Sequence, residues 1–114
     1  MANSFISKKA DITQVETEIV LYTVPTATTA VIRSILVNDD SGSGSTVTIS
    51  VTNTSDAVFK IAHLKDISPK TPTEILTNPL VVETGEIIKV TAGNANRLHV
   101  LLSAMEVLPR TVTT

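Results

Sequence analysis

The most regular pattern in the chain is the segment TVTISVTN, residues 46–53, in which apolar and hydroxyl side chains alternate. Val47, Ile49 and Val51 fall on one side of an extended chain, and Thr and Ser residues fall on the other. A period of two residues predicts a β-strand with one face in a core and the other in water. No segment repeats apolar residues at helical spacing over the length of a substantial helix.

Further strands are predicted where β-branched and aliphatic residues run between turn signals. These strands cover residues 15–24, 30–38, 57–64, 80–82, 87–91 and 97–108. Residues 74–78 form either a short additional strand or one turn of helix. Residues 30–38 are apolar on both faces apart from Arg33 and Ser34, which predicts a central strand. Residues 39–45, DDSGSGS, predict a mobile hairpin tip.

Seven to eight short strands separated by turns predict an all-β fold, an antiparallel β-sandwich. The connections are too short for parallel strands joined by helices. Jelly-roll-like and immunoglobulin-like topologies both fit. The 114 residues form one domain. We expect a sandwich over residues 14–109, a flexible polar N-terminal arm over residues 1–13, and a short polar tail over residues 110–114.

Composition removes several classes of function. The net charge is −2, and Lys and Arg are scattered, so we expect no nucleic-acid partner. The absence of Cys excludes disulfides and thiolate sites. The N-terminal residues lack the apolar run of a signal peptide, and no stretch of 18 apolar residues occurs. We therefore expect no membrane partner and synthesis in the cytoplasm.

Histidine and aspartate offer the first candidates for chemistry. His63 and His99 each lie in a predicted strand, but two donors without ligand spacing favour strand-face histidines over a metal site. Asp39 and Asp40 precede a Gly/Ser run, yet the spacing of a calcium loop is missing. We predict no metal site.

Glutamate and serine offer the remaining candidates. Glu16 and Glu18 would share one strand face, which a solvated edge strand explains more simply than acid–base catalysis. No G-x-S-x-G nucleophile turn is present. We predict no enzyme activity, no catalytic residues and no cofactor.

A small-ligand or glycan-binding module is an alternative for a β-sandwich. Sugar sites use exposed aromatic faces, and this chain has no Trp and a single Tyr. If the chain is such a module, Tyr22, Arg97 and His99 are the candidate binding residues.

The excess of aliphatic residues favours burial against other chains. AVIRSILV and RLHVLLSAMEVL carry apolar residues on both strand faces. Such surfaces are typical of chains that pack against copies of themselves or a partner. A well-filled monomeric sandwich has a similar composition.

Two segments also resemble small structural proteins of tailed bacteriophages. The first is VLYTVPTATTAVIRSILVND followed by a Gly/Ser turn and TVTISVTN, and the second is LVVETGEIIKVTAGNANRLHVLLSAMEV. The resemblance covers roughly residues 15–108, and the shared residues are scaffold: Pro25, Gly85 and the strand residues.

This resemblance implies a non-enzymatic virion component assembled in the host bacterial cytoplasm. It implies a capsid decoration or cement subunit on the particle exterior, or a tail or head–tail junction component. The implied partners are the major capsid protein or tail proteins, and the implied state is a homo-oligomer, a trimer or higher. It carries over no individual binding residue.

Overall fold

The computed structural model describes residues 3–39 and 41–107. These residues form nine β-strands and no helix, so the prediction of an all-β fold is confirmed. The strands are β1 (Asn3–Asp11), β2 (Ile19–Thr23), β3 (Thr29–Asp39), β4 (Ser45–Thr52), β5 (Val58–Ile67), β6 (Thr73–Glu74), β7 (Leu80–Val82), β8 (Ile87–Ala92) and β9 (Leu98–Val107). Accordingly, no helix in the described ranges is long and apolar enough to cross a membrane.

The strands form two antiparallel sheets packed as a sandwich. One sheet has the order β1-β9-β3-β6, with β7 also paired to β3, and the other has the order β2-β8-β4-β5. The first strand therefore pairs with the last, β2 with β8, β3 with β6 and β7, and β4 with β5. This is the strand order of a jelly roll. An immunoglobulin-like sandwich would place its first two strands side by side, whereas β1 and β2 lie in different sheets.

Alternating side chains from both sheets fill the core. Val47, Ile49 and Val51 of β4 are buried, as the alternation predicts. In β3 a bulge at Arg33 shifts the pairing with β9, so buried positions change from even to odd along the strand. The strand is central, as predicted, because β9 pairs on one side and β6 and β7 on the other.

The prediction of an arm over residues 1–13 is wrong for residues 3–12. Asn3–Asp11 pairs with β9 over nine residues, and Ile12 is completely buried in the core. Ile6 and Ala10 pack against that core. An edge strand needs to bury only one set of alternate side chains, so its other positions can be polar. The predicted tail, residues 110–114, lies outside the described residues.

The loop after β3 is built around a buried aspartate. Asp39 Oδ1 accepts hydrogen bonds from Ser41 N and Ser41 Oγ, at 2.9 and 2.7 Å, and Oδ2 accepts one from Gly44 N at 2.8 Å. The Ser41 hydroxyl and the backbone N–H groups outweigh the effect of burial and lower the pKa of Asp39 to about 2. The sequence predicted a mobile hairpin tip here, whereas in the structure the Asp39 carboxylate holds the loop by accepting these hydrogen bonds.

Candidate interaction surface

Tyr22 joins the two sheets. Its side chain is buried, and its hydroxyl donates to Glu106 Oε2 at 2.6 Å. Burial, and secondarily the hydrogen bond and charge of Glu106, raise the pKa of the Tyr22 hydroxyl above its ordinary value. A ring in this position cannot stack on a sugar, so Tyr22 is a structural residue here.

Arg97 and His99 lie in separate depressions at one end of the molecule. Arg97 lines a polar cleft of about 460 Å³ between loops, and its Nη1 donates to Gly44 O at 3.0 Å. His99 lines a smaller depression of about 300 Å³, where its Nε2 is 3.4 Å from Asp11 Oδ1. Glu106, the partner of Tyr22, is seven residues further along β9 than His99, or roughly 23 Å. The structure therefore does not bring the three candidate binding residues together.

The remaining candidates for chemistry are dispersed. His63 is exposed on β5, in the sheet that does not contain His99. Glu16 and Glu18 precede β2 instead of sharing a strand face, and Glu18 pairs with Lys89 at 3.4 Å, so that prediction is wrong. Within the described residues, no group of three or more His, Asp or Glu could hold a metal ion. Asp40 lies outside the described residues.

A row of four apolar side chains crosses the outer face of the five-stranded sheet. Strand pairing places Phe5 opposite Met105, Met105 opposite Val31, and Val31 opposite Val81. Directly paired residues in neighbouring strands point to the same face, so these side chains form one line across β1, β9, β3 and β7. Phe5 is 77% exposed and Val81 is 58% exposed, while Met105 and Val31 are half-buried. We call this line the apolar row.

A second line, with charged ends, crosses the same face four residues further along β1 and β9 and, because of the bulge at Arg33, five residues further along β3. Lys9 pairs with Leu101, Leu101 with Leu36, and Leu36 with Glu74. The alternation in β9 is uninterrupted between Leu101 and Met105, so both lines lie on the outer face. We call this second line the charged row. Three serines lie between the two rows: Ser7, Ser103 and Ser34.

The outer face of the four-stranded sheet has a different character. Its corresponding line contains Val20, Lys89, Ser50 and Lys60, which are paired in that order. Threonines dominate β4 on this face, as the alternation of TVTISVTN predicts. A polar outer face is the ordinary arrangement in a β-sandwich. The apolar row is the departure from it.

The sequence predicted the apolar residues that β3 and β9 contribute to these two rows. The central strands β3 and β9 were predicted to be apolar on both faces, which accounts for Val31, Leu36, Leu101 and Met105. Phe5 was missed because residues 1–13 were interpreted as an arm. The alignment of residues from separate strands into rows depends on strand register, which no local sequence pattern specifies.

Comparisons with known proteins give a distant structural likeness. No protein-family model matches the chain, and no curated protein matches it. Among solved structures, the chain is similar to a pentameric capsid protein isolated from metagenomic phage sequences, at 16% identity and a TM-score of 0.44. The match covers 88% of this chain and 58% of the capsid protein. This chain therefore spans less than two thirds of the length of that capsid protein. A similarity of this level assigns no residue role or activity to the chain.

Proposed function

We propose that the chain is a non-enzymatic structural subunit of a tailed-phage virion, and in particular a capsid decoration or cement subunit on the particle exterior. The observation that carries the proposal is the apolar row on the outer face of the five-stranded sheet. A line of apolar side chains with exposed ends on the outer face of a sheet is suited to contact with another macromolecule. The resemblance of residues 15–108 to small phage structural proteins supplies the biological setting.

A tail or head–tail junction component is the alternative within the same class. It would use the same surface, with tail proteins in place of the major capsid protein as partners. In both versions the subunit is made in the host bacterial cytoplasm and joins the particle as a homo-oligomer.

Mass spectrometry of purified particles tests the proposal. We expect the chain among the virion proteins at a copy number that follows capsid symmetry for a decoration subunit. A copy number of about a dozen or fewer would favour the tail or junction. Absence from purified particles would refute the virion role. Gold-labelled antibodies on intact particles, viewed by electron microscopy, then distinguish the capsid exterior from the tail.

The polar cleft at Arg97 supports a second candidate, a module that binds a small polar ligand or glycan. Arg97 is half-buried there, and hydroxyl and amide groups line the cleft with it, including Ser45, whose Oγ donates to Asn94 Oδ1 at 3.0 Å. Saturable binding in a glycan array, lost in an Arg97→Ala variant and kept in an Arg33→Ala variant, would support this candidate. An array without saturable binding would remove it.

A further inference from the structure

We propose that the outer face of the five-stranded sheet packs against the same face of a second copy about a two-fold axis. The axis lies parallel to the strands, in the plane of the contact, between β9 and β3. This inference goes beyond the virion role, because it names the surface and the partner and holds wherever the subunit is used.

The apolar row is self-complementary in size under this operation. A two-fold axis between β9 and β3 places the strands of one copy over those of the other in reverse order. Phe5 of each copy then lies over Val81 of the other, and Met105 lies over Val31. The largest side chain meets a small one at both ends, and the flexible methionine fills the centre. The two exposed ends, Phe5 and Val81, lose their contact with water.

The same axis makes the charged row complementary in sign. Lys9 stands at the β1 end of that row and Glu74 at the β6 end, so each copy's Lys9 faces the other's Glu74. Leu101 faces Leu36 between them. Lys9 Nζ donates to Ser7 Oγ at 2.8 Å. The Glu74 carboxylate accepts hydrogen bonds from Ser34 Oγ, from Ile35 N at 2.8 Å and from Leu76 N at 3.2 Å. Complementary charges of this kind fix the register of a contact more than they strengthen it.

The face is large enough for a specific contact of modest strength. Strands β1, β3 and β9, of 9, 11 and 10 residues, and beside them β6 and β7, of 2 and 3 residues, lie about 4.8 Å apart and present roughly 600 Å² per copy. The total of about 1,200 Å² is at the lower end of the range for specific interfaces. Between the rows lie uncharged serines, which cost little to dehydrate when they can pair across the contact. Arg33 at the bulge is exposed, and its long side chain can extend to the rim.

The two phenylalanines provide a matched test of the surface. Phe5 is 77% exposed on the proposed face, and Phe59 is 59% exposed on β5 of the other sheet. Sedimentation velocity of the full chain over a concentration series should show a monomer–dimer equilibrium. Phe5→Ser should raise the dissociation constant at least about tenfold, and Phe59→Ser should leave it within about twofold. A monomer throughout the series, or equal effects of the two variants, would overturn the proposal.

A charge exchange tests the two-fold axis itself. Lys9→Glu should weaken the dimer about threefold to tenfold, whereas Lys8→Glu, on the opposite face of β1, should not. The Glu74→Lys chain should also dimerise weakly alone. Mixed in equal amounts, the Lys9→Glu and Glu74→Lys chains should form a heterodimer as stable as the wild-type dimer, because both charge pairs are then restored. If mixing restores no association while both chains remain folded by circular dichroism, the axis is wrong. If the Glu74→Lys chain does not fold, the comparison of Phe5→Ser with Phe59→Ser tests whether this face forms the dimer.

Discussion

The two sheets share one core but present different outer surfaces. On the five-stranded sheet, the line from β1 to β7 reads Phe5, Met105, Val31 and Val81. On the four-stranded sheet, the comparable line reads Val20, Lys89, Ser50 and Lys60, with Val20 exposed, and threonines alternate along the outer face of β4. The buried faces of both sheets are predominantly aliphatic. The difference therefore lies in side chains that the fold itself does not need.

This difference indicates how the molecule divides its tasks. The threonine and lysine face is polar, as the outer face of a β-sandwich ordinarily is. The apolar row adds nothing to the core, and the contact with another chain proposed above would account for its position. The contribution of each sheet to stability can be tested separately. The variants below change one sheet, the hydrogen bond between the sheets, the loop that joins them, or one outer face.

Removing β1 from the five-stranded sheet should have the largest effect. Deletion of residues 1–12 removes nine paired residues and the fully buried Ile12. Ile12→Ala alone should lower the free energy of unfolding by about 2–5 kcal/mol, and the deletion should lower it further. Chemical denaturation measures both. The control Val15→Ala, at an exposed position, should change it by less than about 0.5 kcal/mol. A deleted chain with wild-type stability would show that β1 is dispensable and that the arm prediction was correct.

Breaking the polar bond between the sheets should have an intermediate effect. Tyr22→Phe removes the hydroxyl that donates to Glu106 and should cost about 1–2 kcal/mol in unfolding free energy. The pKa of Tyr22 is raised in the folded state, so its hydroxyl stabilises the fold below about pH 10, the ordinary pKa, and this contribution declines above it. Melting temperatures from pH 8 to pH 11 should therefore fall more steeply for the wild type than for Tyr22→Phe. Parallel curves would show that the hydroxyl does not bond in the folded chain.

The loop that passes from the five-stranded to the four-stranded sheet should respond to acid. The pKa of Asp39 is about 2 in the folded state against 3.8 ordinarily, so its charge stabilises the fold above about pH 4. That stability is lost as the pH falls from about 4 to about 2. We expect a drop in melting temperature across this interval that Asp39→Asn lacks, since the variant is already less stable at pH 7. Asp66→Asn serves as the control and should keep the drop.

The smallest effect is expected on the outer face of the four-stranded sheet. Thr52 Oγ1 is buried there without a hydrogen-bond partner among the described residues. Thr52→Val removes this unsatisfied hydroxyl and should raise the free energy of unfolding by about 0.5–1 kcal/mol. Thr48→Val is the contrasting variant, because Thr48 Oγ1 accepts a hydrogen bond from Leu64 N at 3.0 Å. A loss of stability in Thr52→Val would mean that its hydroxyl is satisfied by water.

Local patterns were sufficient for strands with one clear alternation and insufficient where the alternation is interrupted. β4 was predicted within one residue because every second side chain is apolar. β1 was missed because Lys8 falls among the inward positions that Ile6, Ala10 and Ile12 occupy. The strand predicted from residue 15 begins at Ile19, since Glu16 adopts a left-handed φ of 50° in the preceding turn.

The candidate surface was less predictable than the fold. The bond between Tyr22 and Glu106 joins residues 84 positions apart. The apolar row depends on the register of four strands, and the bulge at Arg33 changes that register within β3. Sequence alone indicated a surplus of aliphatic surface. The pairing of the strands shows that part of this aliphatic surface forms the apolar row.

The pairing of the first strand with the last has a consequence for how the protein is made. Asn3 is synthesised about a hundred residues before its partner Val107. At about 5–20 residues per second, β1 waits roughly 5–20 seconds for β9. Until β9 is made, the nascent chain carries β1 without its neighbour, and on a crowded polysome the nearest β9 can belong to another copy. Among the described strands, β1 is synthesised first, and its pairing with β9 is the last to become possible in that sheet.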